Sequence, residues 1–213
     1  MSETQAWLAA AATVGVLLGY ELVLALAHRR DPQRLARSAH AALREEWFAT
    51  LSAQKGSELL AVQTLRNSLM SATLTASTAA LALMGSVTLA APSLHASLGV
   101  APAGGPAFSA RLALELALMA LLFASLLCSA MAVRYYNHAS FIGSMPVESE
   151  ARQRWSSAGT VYVRRAGVLY SWGLRNLILV APIIAAIVHP AAGPVAAVIA
   201  VAVLFGFDRV GAA

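Results

Sequence analysis

Long apolar blocks alternate with shorter polar segments along this chain. The first block runs from Trp7 to Ala27 as WLAAAATVGVLLGYELVLALA and is followed directly by HRRDP. Three further blocks cover residues 67–91, 112–133 and 167–188. Each block has about the 20 residues that an α-helix needs to cross the hydrocarbon core of a bilayer. The pattern therefore predicts four full membrane spans.

A fifth apolar segment, residues 194–207, follows the turn-like sequence HPAAGP. Its helix would be only about 21 Å long, so it is either a short span or a re-entrant arm. It could also continue the fourth block as one kinked helix, but prolines 182, 190 and 194 disfavour that alternative. We therefore predict an all-α, polytopic transmembrane helix bundle of about five spans, forming one domain over residues 1–213.

The polar segments 28–66 and 134–166 have helical patterns of their own. In the first, Asp31 and Pro32 predict a helix start, and apolar residues then recur at helical spacing. This amphipathic helix would lie in the headgroup plane or cover the inner ends of the spans.

Other polar and turn-forming residues predict where helices begin and end. Gly56 is expected to end the first amphipathic helix, and Ser57 and Glu58 to begin the helix that continues into span two. Pro92 is expected to end that span. In the second polar segment, VESEARQRW predicts a short helix that breaks at Gly159.

The composition excludes an ordinary water-soluble domain. The chain is 59% hydrophobic and 12% charged, whereas soluble domains have about a quarter charged residues. The two polar segments hold 7 + 5 = 12 of the 15 Lys and Arg, and the loop between spans two and three holds only Arg111. The positive-inside rule then places both segments in the cytoplasm and the N-terminus outside.

These features predict a multi-pass protein of the bacterial cytoplasmic (inner) membrane with a cytoplasmic C-terminus. Its basic residues are expected to contact the bilayer and its anionic headgroups at the cytoplasmic face, and no nucleic acid. Because MSETQAW has no positive flank, the first block is interpreted as a retained span and not a cleaved signal.

The most informative polar residues lie near the predicted inner ends of the spans. Glu21 would lie roughly 9 Å inside the boundary, where an unpaired charge costs at least about 2.5 kcal/mol. A basic partner at the same depth is therefore expected. The predicted polar cluster comprises Tyr20, Glu21, Gln63, Arg66, Asn67 and Arg175, with Asn137 and His138 as possible contributors.

This cluster has more than one interpretation. It could be a structural salt bridge or a site for an ion or a lipid headgroup. Arg66 alone could simply extend its side chain to the phosphate headgroups. Glu115 is expected to pair locally with Arg111, one turn earlier on the same helix.

Small residues indicate a second special face on the first span. Ala11, Gly15 and Gly19 follow one another at four-residue spacing and include a GxxxG pattern, which allows two helix backbones to approach closely. Glu21 lies about 200° around the helix from Gly19. The small-residue face is therefore predicted to contact another span or another subunit.

Catalytic and metal-binding patterns are weak. The five histidines are scattered without ligand spacing, and there is no phosphate-binding glycine loop, HExxH or GxSxG motif. We predict no catalytic residues, no metal and no cofactor.

Four sequence stretches carry a resemblance to a known family. They are GYELVLALAHRRDP (19–32), LAVQTLRNSLMSATLTAST (60–78), RYYNHAS (134–140), and GLR (173–175) with Pro182 downstream. With them the chain resembles the uncharacterised membrane family called domain of unknown function 599, found in bacteria and plants. The resemblance implies a helical membrane protein and no particular activity.

Three function classes are compatible with the sequence. The leading hypothesis is a non-enzymatic membrane interaction or assembly protein that forms a homo-oligomer. The alternative is a small ion or solute channel or transporter that uses the polar cluster. A lipid-handling enzyme is third, because no nucleophile or metal set supports it.

Overall fold

The computed structural model describes residues 2–30, 36–97 and 108–208, which are α-helical apart from short turns. Within these ranges lie six helices: α1 (Glu3–Arg30), α2 (Ala36–Ala53), α3 (Glu58–Ser97), α4 (Ala110–Ser144), α5 (Glu150–Val188) and α6 (Ala192–Asp208). The predicted all-α class is confirmed for this part of the chain.

Among the described residues, α1, α3, α4 and α5 are long and apolar enough to cross a membrane. Each extends beyond the apolar block that predicted it. The fifth apolar segment becomes α6, with 17 residues and a length of about 25 Å. A turn at residues 189–191 separates α6 from α5, so the two are distinct helices and not one kinked helix.

Two expected helix breaks are wrong. Pro92 lies inside α3, which continues to Ser97. Proline removes a single i→i−4 hydrogen bond, and the bonds of the other turns hold this 40-residue helix on both sides of it.

Gly159 lies inside α5, so the expected short helix is simply the first part of α5. A Cβ on Gly159 would lie 2.5 Å from Cε1 of Phe48. The glycine therefore makes room for an aromatic ring and does not mark a break.

The turn between α2 and α3 follows the prediction. Gly56 has a φ of 78°, which an L-residue with a side chain rarely adopts. The Ser57 hydroxyl oxygen lies 2.7 Å from the carbonyl oxygens of both Leu51 and Gln54, which share its one donor hydrogen, and α3 then begins at Glu58. The predicted helix start at Asp31 and Pro32 lies outside the described residues.

The described residues form two compact units. The first unit comprises those within 1–31, 79–124 and 175–209, and the second those within 32–78 and 125–174. Helices α3, α4 and α5 contribute residues to both units, and the single-domain interpretation stays a prediction.

The first unit has a core of small and branched apolar side chains, including Leu122, Ile183 and Ala197. Here α1 packs against α6. Gly193, in the first turn of α6, allows this close approach: a Cβ there would lie 2.5 Å from both Cβ of Ala186 and Oγ1 of Thr13.

The second unit is built around Phe48 of α2, whose side chain is completely buried. It belongs to an apolar cluster with Ala139 and Ile142 of α4 and Val163 of α5. The apolar stripe of α2 is thus covered by protein, at least around Phe48.

Candidate functional site

The most concentrated polar site of the first unit centres on Arg175 of α5, which is only 4% exposed. Its Nε donates a hydrogen bond to Oε1 of Glu21 at 2.5 Å. Its Nη1 lies 2.8 Å and 3.0 Å from the two carboxylate oxygens of Asp208. One guanidinium on α5 therefore joins a carboxylate on α1 to a carboxylate on α6.

Tyr20 completes this site. Its hydroxyl donates a hydrogen bond to Oδ2 of Asp208 at 2.6 Å. The guanidinium carbon of Arg175 lies 5.4 Å from the centre of the Tyr20 ring, within the range of a cation–π interaction. We call Tyr20, Glu21, Arg175 and Asp208 the Arg175 cluster.

The charges of the Arg175 cluster do not balance. One guanidinium and two carboxylates sum formally to +1 − 2 = −1. In addition, Nη2 of Arg175 is buried and has no hydrogen-bond partner among the described residues. The arrangement can hold three helices together. Its net negative charge can attract a cation, and the Nη2 group of Arg175 can donate a hydrogen bond to an acceptor such as water.

The structure brings together three of the six residues predicted as a cluster: Tyr20, Glu21 and Arg175. The other three, Gln63, Arg66 and Asn67, belong to the second unit and have exposed side chains. The possible contributors Asn137 and His138 also belong to the second unit and are exposed. The His138 ring lies 5.8 Å from the ring of Tyr162.

Sequence reasoning missed Asp208. One signal was available, because Asp208 directly follows the last apolar segment and the predicted topology puts that end on the cytoplasmic side, where Glu21 and Arg175 are expected. The prediction for this segment, a short span or a re-entrant arm, assigns no partner to the acid that follows it.

A second buried arginine, also missed, organises the second unit. Arg152 is 1% exposed, and it donates hydrogen bonds to the carbonyl oxygen of Ile142 and, at 2.9 Å, to the hydroxyl of Ser52. Its guanidinium carbon lies 5.0 Å from the centre of the Phe48 ring. It therefore connects α2, α4 and α5.

Glu58 contributes to the same region, nine residues before the predicted start of span two. Its Oε1 accepts a hydrogen bond from the Val147 N–H at 3.1 Å. Hydrogen bonds from its own N–H and from that of Val147 lower the pKa of Glu58 below its usual value. The ionised carboxylate thereby fixes the turn between α4 and α5 to the start of α3.

The Arg111–Glu115 pair is present as expected. Nε of Arg111 lies 2.9 Å from Oε1 of Glu115, whose side chain is buried. This local pair satisfies one oxygen of the carboxylate, which favours a structural role.

Comparison with known proteins places the chain in a family. The profile of the family described as "Protein of unknown function, DUF599" matches residues 8–213. The chain belongs to this family. No curated protein and no solved structure matches the chain. The activity of this DUF599 protein is therefore inferred from its own sites.

Removing the buried cation of the Arg175 cluster should destabilise the protein far more than removing an exposed cation. Arg175→Gln leaves two carboxylates partly buried without their cation, and we expect it to lower the free energy of unfolding by about 3–5 kcal/mol. Lys55→Gln removes one partner of the exposed Lys55–Glu148 pair and should cost less than about 1 kcal/mol. Unfolding of both variants in mixed detergent micelles gives the comparison, and equal losses would argue against a stabilising role for Arg175.

Proposed function

We propose that this protein is a non-enzymatic, multi-pass protein of the bacterial cytoplasmic membrane that assembles into a homo-oligomer through α1. The four long apolar helices support the membrane assignment. The concentration of Lys and Arg in residues 28–66 and 134–166 supports an orientation with both segments in the cytoplasm and the N-terminus outside.

The observation that carries the oligomer proposal is the open small-residue face of α1. Ala11, Gly15 and Gly19 are all exposed. A Cβ built on Gly15 or Gly19 would have no atom within 4 Å beyond the backbone of α1 itself, in the described part of the chain. The face that the sequence predicted to be a helix-packing surface is therefore left uncovered by the described elements of its own chain.

The opposite face of α1 already has its contacts. Thr13 and Leu17 are buried, and they lie about 200° and 240° around the helix from Ala11 at 100° per residue. Leu18 lies about 20° to one side of Ala11, and Leu22 lies on the face itself, between the directions of Ala11 and Gly15. Their side chains are 63% and 61% exposed. One side of α1 thus packs within the first unit, while the other presents an exposed surface of small residues and leucines.

A second copy of the chain suits this surface better than lipid alone. Where glycine brings helices together inside the first unit, as at Gly193, a Cβ would overlap a neighbouring atom. Gly15 and Gly19 offer the same close approach without a neighbour. In a bilayer, helix association depends on such van der Waals packing. The small-residue faces of two copies of α1 can pack against each other in a symmetric dimer contact.

Bulky residues on this face should prevent assembly. We expect Gly15→Leu and Gly19→Leu to convert the oligomer to monomer, because the added side chains hold two helix backbones apart. Gly85→Leu is the matched control, since Gly85 lies in predicted span two and also has open space around it. Native mass spectrometry of the protein released from nanodiscs gives the subunit count. A monomeric parent protein, or an oligomer that survives both α1 substitutions, would contradict the proposal.

A second candidate function, passage of a cation through the membrane, is favoured by one observation. The Arg175 cluster has an excess of one negative charge. Charged side chains within membrane helices commonly mark ion pathways. The cluster would then attract a cation transiently on its route.

Glu21→Gln tests this candidate because it makes the cluster formally neutral while the Arg175–Asp208 pair remains. Cation flux into liposomes should fall at least about tenfold for Glu21→Gln and stay at the parent value for Glu148→Gln, which removes an exposed carboxylate. Parent-protein flux equal to that of empty liposomes, or unchanged by Glu21→Gln, would exclude this function for the cluster.

A further inference from the structure

A pocket of about 300 Å³ lies in the second unit. Its apolar walls come from Leu43 and Trp47 of α2, Leu65 of α3 and Val163 of α5. Arg44 of α2 and Tyr136 of α4 supply polar groups. Apolar walls with a few convergent polar groups are typical of a small-molecule site, and this volume is at the small end of the usual range.

The guanidinium of Arg44 has a defined place beside α5. A Cβ on Gly167 would lie 2.6 Å from Nη1 and 2.7 Å from Cδ and Cζ of Arg44. The absence of a side chain at Gly167 thus allows the arginine to lie directly against the helix backbone. Its position is set by contact with α5, and the side chain does not extend freely into solvent.

The positive charge of Arg44 is not neutralised within the described part of the chain. Its Nη1 donates a long hydrogen bond, 3.4 Å, to the carbonyl oxygen of His40. The neighbouring carboxylate of Glu45 is engaged elsewhere, by Nε of Arg164 at 3.2 Å. Tyr136, whose hydroxyl is a neutral hydrogen-bonding group, lines the same pocket as Arg44.

Residues from three helices place this pocket at one predicted depth, just outside the inner boundary of the hydrocarbon. Leu65 lies two residues before the predicted start of span two. Tyr136 lies three residues after the predicted end of span three, and Val163 lies four residues before the predicted start of span four. Each offset corresponds to about 3–6 Å of helix. The pocket is therefore expected at the inner boundary of the hydrocarbon, where the lipid phosphates lie.

We propose that this pocket binds one anionic phospholipid. Arg44 and Tyr136 bind its phosphate, since a guanidinium and a hydroxyl both donate hydrogen bonds to phosphate oxygens. Leu43, Trp47, Leu65 and Val163 contact the first part of one acyl chain. The small volume accommodates a headgroup portion and a chain segment and leaves the rest of the lipid in the bilayer. This site does not depend on the oligomer proposed above.

Lipid retention by the purified full-length protein tests the site. In native mass spectrometry, the parent protein should retain phosphatidylglycerol in preference to phosphatidylcholine, and Arg44→Gln should reduce that retention at least about tenfold. Arg66→Gln is the matched control, because it removes an exposed arginine at the same predicted boundary but outside the pocket. Equal losses for both variants, or equal retention of the two lipids, would overturn the proposal.

Two further variants keep the test decisive if Arg44→Gln does not fold. Arg44→Lys keeps the positive charge but loses the planar set of guanidinium N–H donors, so we expect it to retain an intermediate amount of phosphatidylglycerol. Gly167→Ala displaces Arg44 without removing any charge and should also weaken retention. Full retention by both variants would contradict a phosphate site at Arg44.

Glycerol phosphate distinguishes a lipid from a free phosphate. It carries the same anionic group without acyl chains, so it should displace phosphatidylglycerol only at concentrations at least about tenfold higher than a short-chain phosphatidylglycerol requires. Equal potency of the two competitors would show that the walls do not bind a chain, which would exclude the lipid assignment.

Discussion

A guanidinium group buried among membrane helices must find partners, and this requirement organises the first unit. Arg175 cannot lose its proton in a protein, so its charge has to be compensated by neighbouring groups. Glu21 and Asp208 provide that compensation from residues 154 and 33 positions away along the chain. The register of α1 and α6 against α5 is therefore defined by three side chains. Apolar contacts such as Ala186 against Gly193 pack α5 against α6 about 16 Å farther along α5.

The second unit meets a similar requirement in a different way. Arg152 is as deeply buried as Arg175, but it is held by a carbonyl oxygen, a hydroxyl and an aromatic ring. Its positive charge therefore keeps no ion-pair partner among the described residues, whereas the Arg175 cluster has one carboxylate in excess. Of these two sites, the Arg175 cluster is therefore the better candidate for attracting a cation.

Length and hydropathy alone predicted the four long helices, because a membrane span requires about 20 apolar residues in succession. The pairing of Glu21 with a basic group was also accessible, since a charge at that depth requires compensation. Hydropathy could not specify which arginine compensates the charge of Glu21. Arg66 and Arg175 both enter the predicted spans from the same side, and only three-dimensional packing shows that Arg175 contacts Glu21 while Arg66 is exposed.

Glycine gave the least reliable signals. Gly159 and Gly167 have the same chemistry as Gly15 and Gly19, but the first two make room for Phe48 and Arg44, and the last two have open space. A glycine in the sequence shows where another group can approach the helix backbone closely. Which group does so depends on residues far away in the chain. The pocket at Arg44 was missed for the same reason, because its walls come from four helices.

The coupling between Glu21 and Arg175 is the most direct measure of the buried ion cluster. It is obtained from the free energies of unfolding in detergent of the parent protein, Glu21→Gln, Arg175→Gln and the double variant. If the two side chains interact as the structure shows, the double variant should be less destabilised than the sum of the single variants by at least about 1 kcal/mol. Additive losses would contradict a direct ion pair between α1 and α5.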